Sequence, residues 1–290
     1  MDKKHVGLLG ATSLVGECIQ QQLLQKNWRI TAFSRQKIKN NHAHITWLQP
    51  GTNCQSASHI ENKIVVWICA APIWVLPEYF DVLLLYGIQR IVILSSTSRF
   101  TKRASSDQNE QRTAHLLIKS ENQVQTWAKI NRVEWIILRP TLIYGMGRDK
   151  NITEIARFIL RFGFFPLLGA AKGLRQPIHA KDVSTACILA LEALNLKNCT
   201  YNLTGGETLT YRDMVKRIFS ALNKRPRLIR IPLWLLQLTI PILRRIPRYR
   251  LWTAAMAERM NQDLVFNSLN TQQDLHFSPG PFILSAEDLP

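Results

Sequence analysis

The sequence predicts an α/β protein: a doubly wound parallel sheet followed by a smaller, mainly helical C-terminal lobe. Three observations carry this. The N-terminus reads as apolar run, glycine turn and helical run, over His5–Leu9, Gly10–Gly16 and Glu17–Gln25. Short apolar runs then alternate with helical patterns as far as residue 145. Beyond it, helical patterns dominate. Alternating strands and helices call for right-handed crossovers and a parallel sheet covered on both faces.

After the first strand, Arg29–Ser34 (RITAFS) is the second and His44–Leu48 (HITWL) a short third. Lys63–Ala70 (KIVVWICA) is continuously apolar, as a strand buried on both faces must be. Arg90–Leu94 (RIVIL) follows Gly87, and Glu134–Leu138 (EWIIL) comes next. Helices are predicted over 17–25, 77–86 and 112–129; in the last, Leu116, Leu117, Ile118, Val124 and Trp127 recur near helical spacing. Short extended pieces follow at Gln176–His179 and Tyr201–Leu203. The expected division is a nucleotide-binding domain over 1–145 and a ligand-binding lobe over 146–290, interleaved with the first.

Composition narrows the class. The chain has 290 residues, 46% hydrophobic and 20% charged, which suits a globular protein and excludes a disordered one. No apolar run reaches the roughly 18 residues that span a bilayer. The apolar stretch after Lys3 and Lys4 runs straight into the glycine turn, unlike a signal peptide, so a cytoplasmic protein is expected. The five cysteines (Cys18, Cys54, Cys69, Cys187, Cys199) form no C-x-x-C pair and no Cys/His cluster with metal spacing; reduced thiols and no metal site are expected.

Net charge is +17, which attracts polyanions. Between Lys224 and Arg250 lie eight basic residues (Lys224, Arg225, Arg227, Arg230, Arg244, Arg245, Arg248, Arg250) and no acidic one. Within this stretch, IPLWLLQLTIPIL (231–243) is too short to cross a membrane but suited to lie on one. Two readings stand: peripheral contact of 224–250 with the inner membrane surface, or a lobe helix packed on the core. No aromatic-plus-basic motif points to nucleic acid.

The glycine turn is the first candidate site. A helix N-terminus offers unpaired N–H groups and the positive end of its dipole, both favouring phosphate. Glycines let a pyrophosphate approach the backbone. The turn reads G-A-T-S-L-V-G, with Ser13 where G-x-x-G-x-x-G has its middle glycine. Gly10, Thr12, Ser13, Leu14, Val15 and Gly16 are thus the candidate dinucleotide cradle. Ligands of such sheets bind beyond the strand ends, which adds Ser34–Arg35, Cys69–Trp74 with Ala70 and Ala71, Ser95–Ser98, and Arg139–Gly145 with Pro140. A carboxylate after the second strand would grip the ribose 2′-hydroxyl of NAD. Phe33, Ser34 and Arg35 provide none, and Arg35 suits a 2′-phosphate, so NADP is preferred over NAD.

Read together, these segments resemble the extended and atypical short-chain dehydrogenase/reductases, the NAD-dependent epimerase/dehydratase-like group with a Rossmann sheet. Gly10–Gly16 resembles G-A-T-G-x-x-G. VILSSTS (92–98) is similar to the group's post-strand Ser/Thr motif, and LRPTLIYG (138–145) to L-R-P-x-x-x-Y-G. GLRQPIHAKDVSTACILALE (173–192) resembles R-x-x-I-H-V-x-D-V, and YNLTGGETLTYRDMVKRI (201–218) resembles Y-N-(I/L)-x-G-G-E-x-x-(T/S). Residues 256–282 are similar to the tail of one subgroup. The resemblance covers nearly the whole chain.

It implies NAD(P) as cofactor and hydride transfer on a nucleotide sugar or another hydroxyl/carbonyl compound. It also implies a Ser/Thr, a Tyr and a Lys, the last two as Y-x-x-x-K on one helical face. The matching stretch is HLLIK, with His115 in the Tyr place and Lys119 in the Lys place; no tyrosine occurs between Ser98 and Trp135. His115 either carries protons, since imidazole titrates near neutrality, or is a plain helix-face residue with the reductase chemistry lost or relocated. Lys119 either holds the nicotinamide ribose or is solvated. Thr97 either polarises the substrate or caps local backbone. Tyr144 either lines the pocket wall or takes the proton role. Arg175 either grips a substrate diphosphate through its planar fork or pairs with Asp182. His179 and Asp182 tie the lobes together.

A second function class stays open: a non-catalytic cofactor-binding subunit or assembly factor, similar to the accessory subunit of respiratory complex I. The missing Tyr and the basic 224–250 segment favour it, whereas Arg175 and the lobe motifs favour an enzyme. Members of the group often pair through two helices, which implies a homodimer.

Overall fold

A computed structural model describes residues 4–38, 42–49, 63–232 and 254–290. Cys54 and most of the basic, apolar segment, including Arg244, Arg245, Arg248 and Arg250, lie outside the described residues.

The main sheet has seven strands, all paired in parallel: β1 (His5–Leu9), β2 (Arg29–Phe33), β3 (Ile45–Leu48), β4 (Val66–Cys69), β5 (Arg90–Leu94), β6 (Glu134–Pro140) and, from the C-terminal half, β11 (Cys199–Leu203). Their spatial order is β11-β6-β5-β4-β1-β2-β3, so the order reverses between β1 and β4. A crevice opens at such a reversal. The central strands β4 and β5 are almost wholly apolar because both faces are covered. Val6, Leu8, Ile30, Ile68, Val92 and Ile136 enter the core beneath α1 (Leu14–Gln25) and α6 (Ala180–Glu192). Leu9, Phe33, Trp67, Ile91, Ile93 and Ile137 enter the other, beneath α2 (Phe80–Leu85) and α4 (Gln108–Asn131). Gly7 makes room for one of these. A Cβ there would lie 2.2 Å from the Trp67 ring, which is fully buried and donates its N–H to the Ile64 carbonyl at 2.6 Å.

Element bounds depart from the predicted ones for identifiable reasons. Helix α1 starts at Leu14, three residues ahead of Glu17, because Ser13 caps it. The predicted helix 77–86 is a 3₁₀ turn over Ile73–Tyr79 followed by α2; Pro77 lacks the N–H that an α-helix ladder needs. Helix α4 is longer than 112–129. The Asp107 carboxylate accepts from the Asn109 N–H at 2.8 Å at one end, and Arg132 turns left-handed at the other. Strand β4 is confined to the middle of 63–70. The piece at 176–179 holds one two-residue strand, β10 (Ile178–His179), paired with β7 (Ile143–Tyr144), and another, β9 (Leu174–Arg175), lies just before it. Tyr201–Leu203 is the end of β11, paired with β6 at the sheet edge.

The lobe has its own core, formed by α5 (Ile152–Phe162), α7 (Tyr211–Ala221), β8 (Phe165–Leu168) and the helix Ala254–Asn261. Asp149 caps α5 by accepting from the N–H groups of Ile152 and Thr153 and from the Thr153 hydroxyl. The C-terminal turn Ala286–Asp288 is clamped back onto the molecule. Asp288 accepts from the Met146 N–H and from the N–H and hydroxyl of Ser285, and His179 Nε2 lies 2.9 Å from its Oδ1. Burial raises the pKa of this carboxyl, but the bonds from His179, Ser285 and Met146 outweigh burial and hold it well below the ordinary carboxylate range.

One buried carboxylate joins α4 to the ends of β5 and β6. Glu121 is 0% exposed and accepts from the Ser95 hydroxyl at 2.5 Å, from Arg99 at 2.5 Å and from Arg139 at 2.7 Å. The two guanidinium groups also lie over the Phe100 ring, at 5.1 and 5.5 Å.

Two outcomes follow from these contacts. Glu121→Gln leaves both guanidinium groups without their anion and is expected to cost about 3 kcal/mol, read from the urea midpoint at unchanged slope. A loss within experimental error would remove Glu121 as the joint. For Asp288, whose folded pKa is depressed, the stabilisation is present above the unfolded value of about 3.9 and is lost as pH falls through the folded one. Asp288→Asn is therefore expected to flatten the acid side of the stability profile. A profile steepening as in the parent chain would count against the clamp.

Candidate functional site

Parallel strands bring their C-terminal ends to one edge of the sheet, and the candidate segments gather there. At the order reversal, the turn after β1 presses on the end of β4. Gly10 has φ +74°, and a Cβ on it would lie 2.2 Å from the Ala71 nitrogen. A Cβ on Gly16 would lie 2.1 Å from the Gly10 carbonyl oxygen. Both glycines are thus required by the turn's own packing.

Ser13 bridges the crevice. Its Oγ accepts from the Gly16 N–H at 3.0 Å and donates to the Ala70 carbonyl at 3.1 Å. The N–H groups of Leu14 and Val15 belong to the first turn of α1, where the helix itself supplies no partner. The turn therefore fits a pyrophosphate through Leu14 and Val15, with the Gly16 N–H already held by Ser13. Thr12 is exposed at its lip. Beyond β2, Ser34 is buried and accepts from the Gln36 N–H at 3.1 Å, and Arg35 is exposed.

A cleft of about 440 Å³ lies beyond the ends of β5 and β6, against the lobe. Ser96, Thr97 and Ser98 line it from β5, and Thr141, Leu142 and Ile143 from β6. Arg175, Gln176, Tyr211, Met260, Leu264 and Phe266 line the lobe side. Its charged residues are Lys102, Arg175, Arg259 and Glu110, a positive excess. Glu110 pairs with Arg259 and, at 3.8 Å, with Lys102. Burial, and secondarily Arg259, lower the Lys102 pKa; burial lowers that of Arg259.

Arg175 is 4% exposed and fixed in orientation. It donates to the carbonyls of Leu174 at 2.7 Å, Gln262 at 2.8 Å and Arg259, and lies over the Tyr211 ring at 5.5 Å. Burial pulls its pKa down to about 10, against the opposing influence of Tyr211 and Asp263. Asp182 instead accepts from the Gly280 N–H.

The structure brings Thr97 and Arg175 to this cleft and keeps other candidates apart from its lining. His115 and Lys119 share an exposed face of α4. Tyr144 is 2% exposed in the lobe core, edge-on to His179 and Phe282, and donates its hydroxyl to the Ile283 carbonyl at 3.2 Å. Burial raises its pKa to about 12. Thr97 donates its hydroxyl to the Pro140 carbonyl at 3.1 Å, where the backbone bond from the Thr97 N–H also ends. Ala70 and Ala71 form the crevice wall against Gly10. Lys102, Glu110 and Arg259 escaped the sequence reading. Their pattern has no motif, and Glu110 and Arg259 meet only through folding.

Comparison with known proteins agrees with this geometry. The model of the "NAD dependent epimerase/dehydratase family" matches residues 78–204, which excludes the glycine turn and includes Thr97, His115, Lys119, Tyr144 and Arg175. Subunit 9 of the NADH dehydrogenase [ubiquinone] 1 alpha subcomplex from Arabidopsis thaliana is 27% identical over 100 residues, 34% of this chain and 25% of that protein. UDP-glucose 4-epimerase from Vibrio cholerae is 22% identical over 115 residues, 40% of this chain and 35% of that protein. The chain thus spans about a quarter to a third of these two relatives' length. The crystal structure of UDP-N-acetylglucosamine 4-epimerase from Bacillus cereus superposes with a TM-score of 0.72 at 15% identity, covering 97% of this chain and 92% of that one, which establishes a shared fold. Its sheet order, its strand-end segments and the match over 78–204 make this chain similar, over its middle, to the NAD-dependent epimerase/dehydratase family.

Proposed function

We propose that this chain binds NADP(H) at the glycine turn and a phosphate-bearing hydroxyl or carbonyl compound of the nucleotide-sugar class in the cleft, and transfers hydride between them. The observation that carries this is the cleft itself: three cations, Arg175, Lys102 and Arg259, line it with one carboxylate, Glu110, beside the strand-end hydroxyls. A rigid guanidinium in a partly dehydrated cleft recognises a diphosphate through paired N–H donors. The dinucleotide would be held by the Leu14 and Val15 N–H groups, by Ser34 and Arg35 at the 2′-phosphate, and by Lys119 at the ribose. Bound there, it supplies hydride acceptance and return. Thr97 orients the substrate through its free lone pairs, since its proton is given to Pro140. The proton role falls to His115 or Tyr144.

A second reading rests on one specific observation. The hydroxyls of Thr97 and Tyr144 are both donated to backbone carbonyls, and His115 stands outside the cleft lining. That arrangement suits a nucleotide-binding subunit or assembly factor without turnover, and the partial likeness to the NADH dehydrogenase subunit lends it support. Cytoplasmic residence, peripheral contact of 224–250 with the inner membrane surface, and a homodimer belong to the proposal as well.

Calorimetric titration with NADPH, NADH and UDP-glucose, followed by turnover assays on nucleotide sugars and ketones, separates the readings. The expected result is tighter binding of NADPH than NADH, a preference that Arg35→Ala abolishes, and a loss of UDP-glucose affinity of about tenfold or more in Arg175→Ala. Turnover lost in His115→Ala or Tyr144→Phe supports the enzyme; NADPH binding without turnover on any substrate supports the subunit. Tighter NADH binding would overturn the role of Arg35, and unchanged sugar-nucleotide affinity in Arg175→Ala would overturn the cleft assignment.

A further inference from the structure

The lobe carries an exposed face that neither nucleotide site uses. At the C-terminal end of α5, Leu160 and Phe162 are 46% and 39% exposed, although the opposite side of the helix (Ile152, Ile155, Ala156, Ile159) is buried. Phe162 makes ring contacts with Phe158 at 4.6 Å and with Phe164 at 6.3 Å, so the aromatic rings form one cluster. The chain turns at Gly163 and enters β8, which pairs in parallel with β13 (Leu228–Ile231). The Phe165 N–H donates to the Arg227 carbonyl, which sets the start of β13 beside the aromatic cluster. Lys224, Arg225, Arg227, Ile229 and Arg230 are all exposed along this segment, and Arg161 lies over the Phe162 ring at 5.2 Å. Between 152–164 and 224–231 the one carboxylate is Glu154, paired with Arg157. Exposed aromatic and aliphatic groups beside cations that far outnumber the carboxylates of these two stretches match a surface that is negative outside and apolar just beneath. An acidic protein patch supplies the charge but no apolar layer for Leu160, Phe162 and Ile229 to enter.

We propose that the α5–β13 face docks this chain on an anionic lipid surface. It deepens the peripheral contact proposed for 224–250 by placing the contact on described residues and adding the aromatic end of α5. It is independent of the nucleotide reading, because none of these residues lines the cleft or the glycine turn.

The test is flotation of the full chain with vesicles of phosphatidylcholine alone and of phosphatidylcholine mixed with phosphatidylglycerol. The parent chain is expected to float with the mixed vesicles only and to be released by salt. Arg225→Gln/Arg227→Gln/Arg230→Gln should lower the partition coefficient about tenfold or more. Phe162→Ser with Leu160→Ser should lower it at low salt while leaving NADPH affinity and the thermal transition unchanged, which shows the variant is folded. Three results would overturn the proposal: no flotation of the parent chain, equal flotation with neutral vesicles, or parent-like flotation of both variants. Failure of NADPH binding with flotation intact would sink the nucleotide reading alone.

Discussion

Glu121 is the contact on which the architecture of the site depends. A carboxylate with no solvent access must be compensated, and here Ser95, Arg99 and Arg139 do so from two strand ends and a connecting turn. That fixes the turn after β5, which carries Ser96 and Thr97, against the end of β6, which carries Pro140 and Thr141. The same guanidinium groups lie over Phe100, and Phe100 meets Phe266 of the lobe at 6.0 Å. The floor of the cleft and its far wall are thus linked through one buried charge.

The glycine turn acquires a different meaning in three dimensions. Gly10 and Gly16 are explained by contacts within the protein, with the Ala71 nitrogen and the Gly10 carbonyl. Their presence alone therefore says little about a ligand. Position 13 is the one where a missing side chain would serve a ligand's approach, and it holds a serine that caps α1 and ties it to β4. The cradle keeps part of its donor set, and Ser13 adds two hydrogen bonds that a glycine there could not make. The same tendency recurs at Thr97 and Tyr144, where hydroxyls that could act on a substrate are engaged with backbone carbonyls.

The sheet was largely legible. Short, β-branched apolar runs such as VWIC and RIVIL, alternating with helical patterns, read as strands covered on both faces, and the strand-end segments followed from that. What remained hidden had physical causes. Tyr201–Leu203 looks like a lobe fragment because nothing local marks its pairing with β6 across the sheet edge. His115 and Lys119 have the right spacing, yet spacing fixes only that they share a face; the packing of Leu117, Glu121 and Val124 turns that face toward solvent. Lys102, Glu110 and Arg259 become a charge cluster only when the helix Ala254–Asn261 folds back over α4. Arg175 was visible as a motif residue, but its anchoring by three carbonyls was not.

The central claim is that a nucleotide seat at the glycine turn and a cationic cleft beyond β5 and β6 operate together on one edge of the sheet. Amide hydrogen exchange, measured on the full chain with NADPH, with UDP-glucose and with both, addresses it directly. The account predicts protection of 10–16 by NADPH, protection of 96–102 and 174–176 by UDP-glucose, and both together when the two are present. Protection confined elsewhere, or absent from the glycine turn at saturating NADPH, would contradict it.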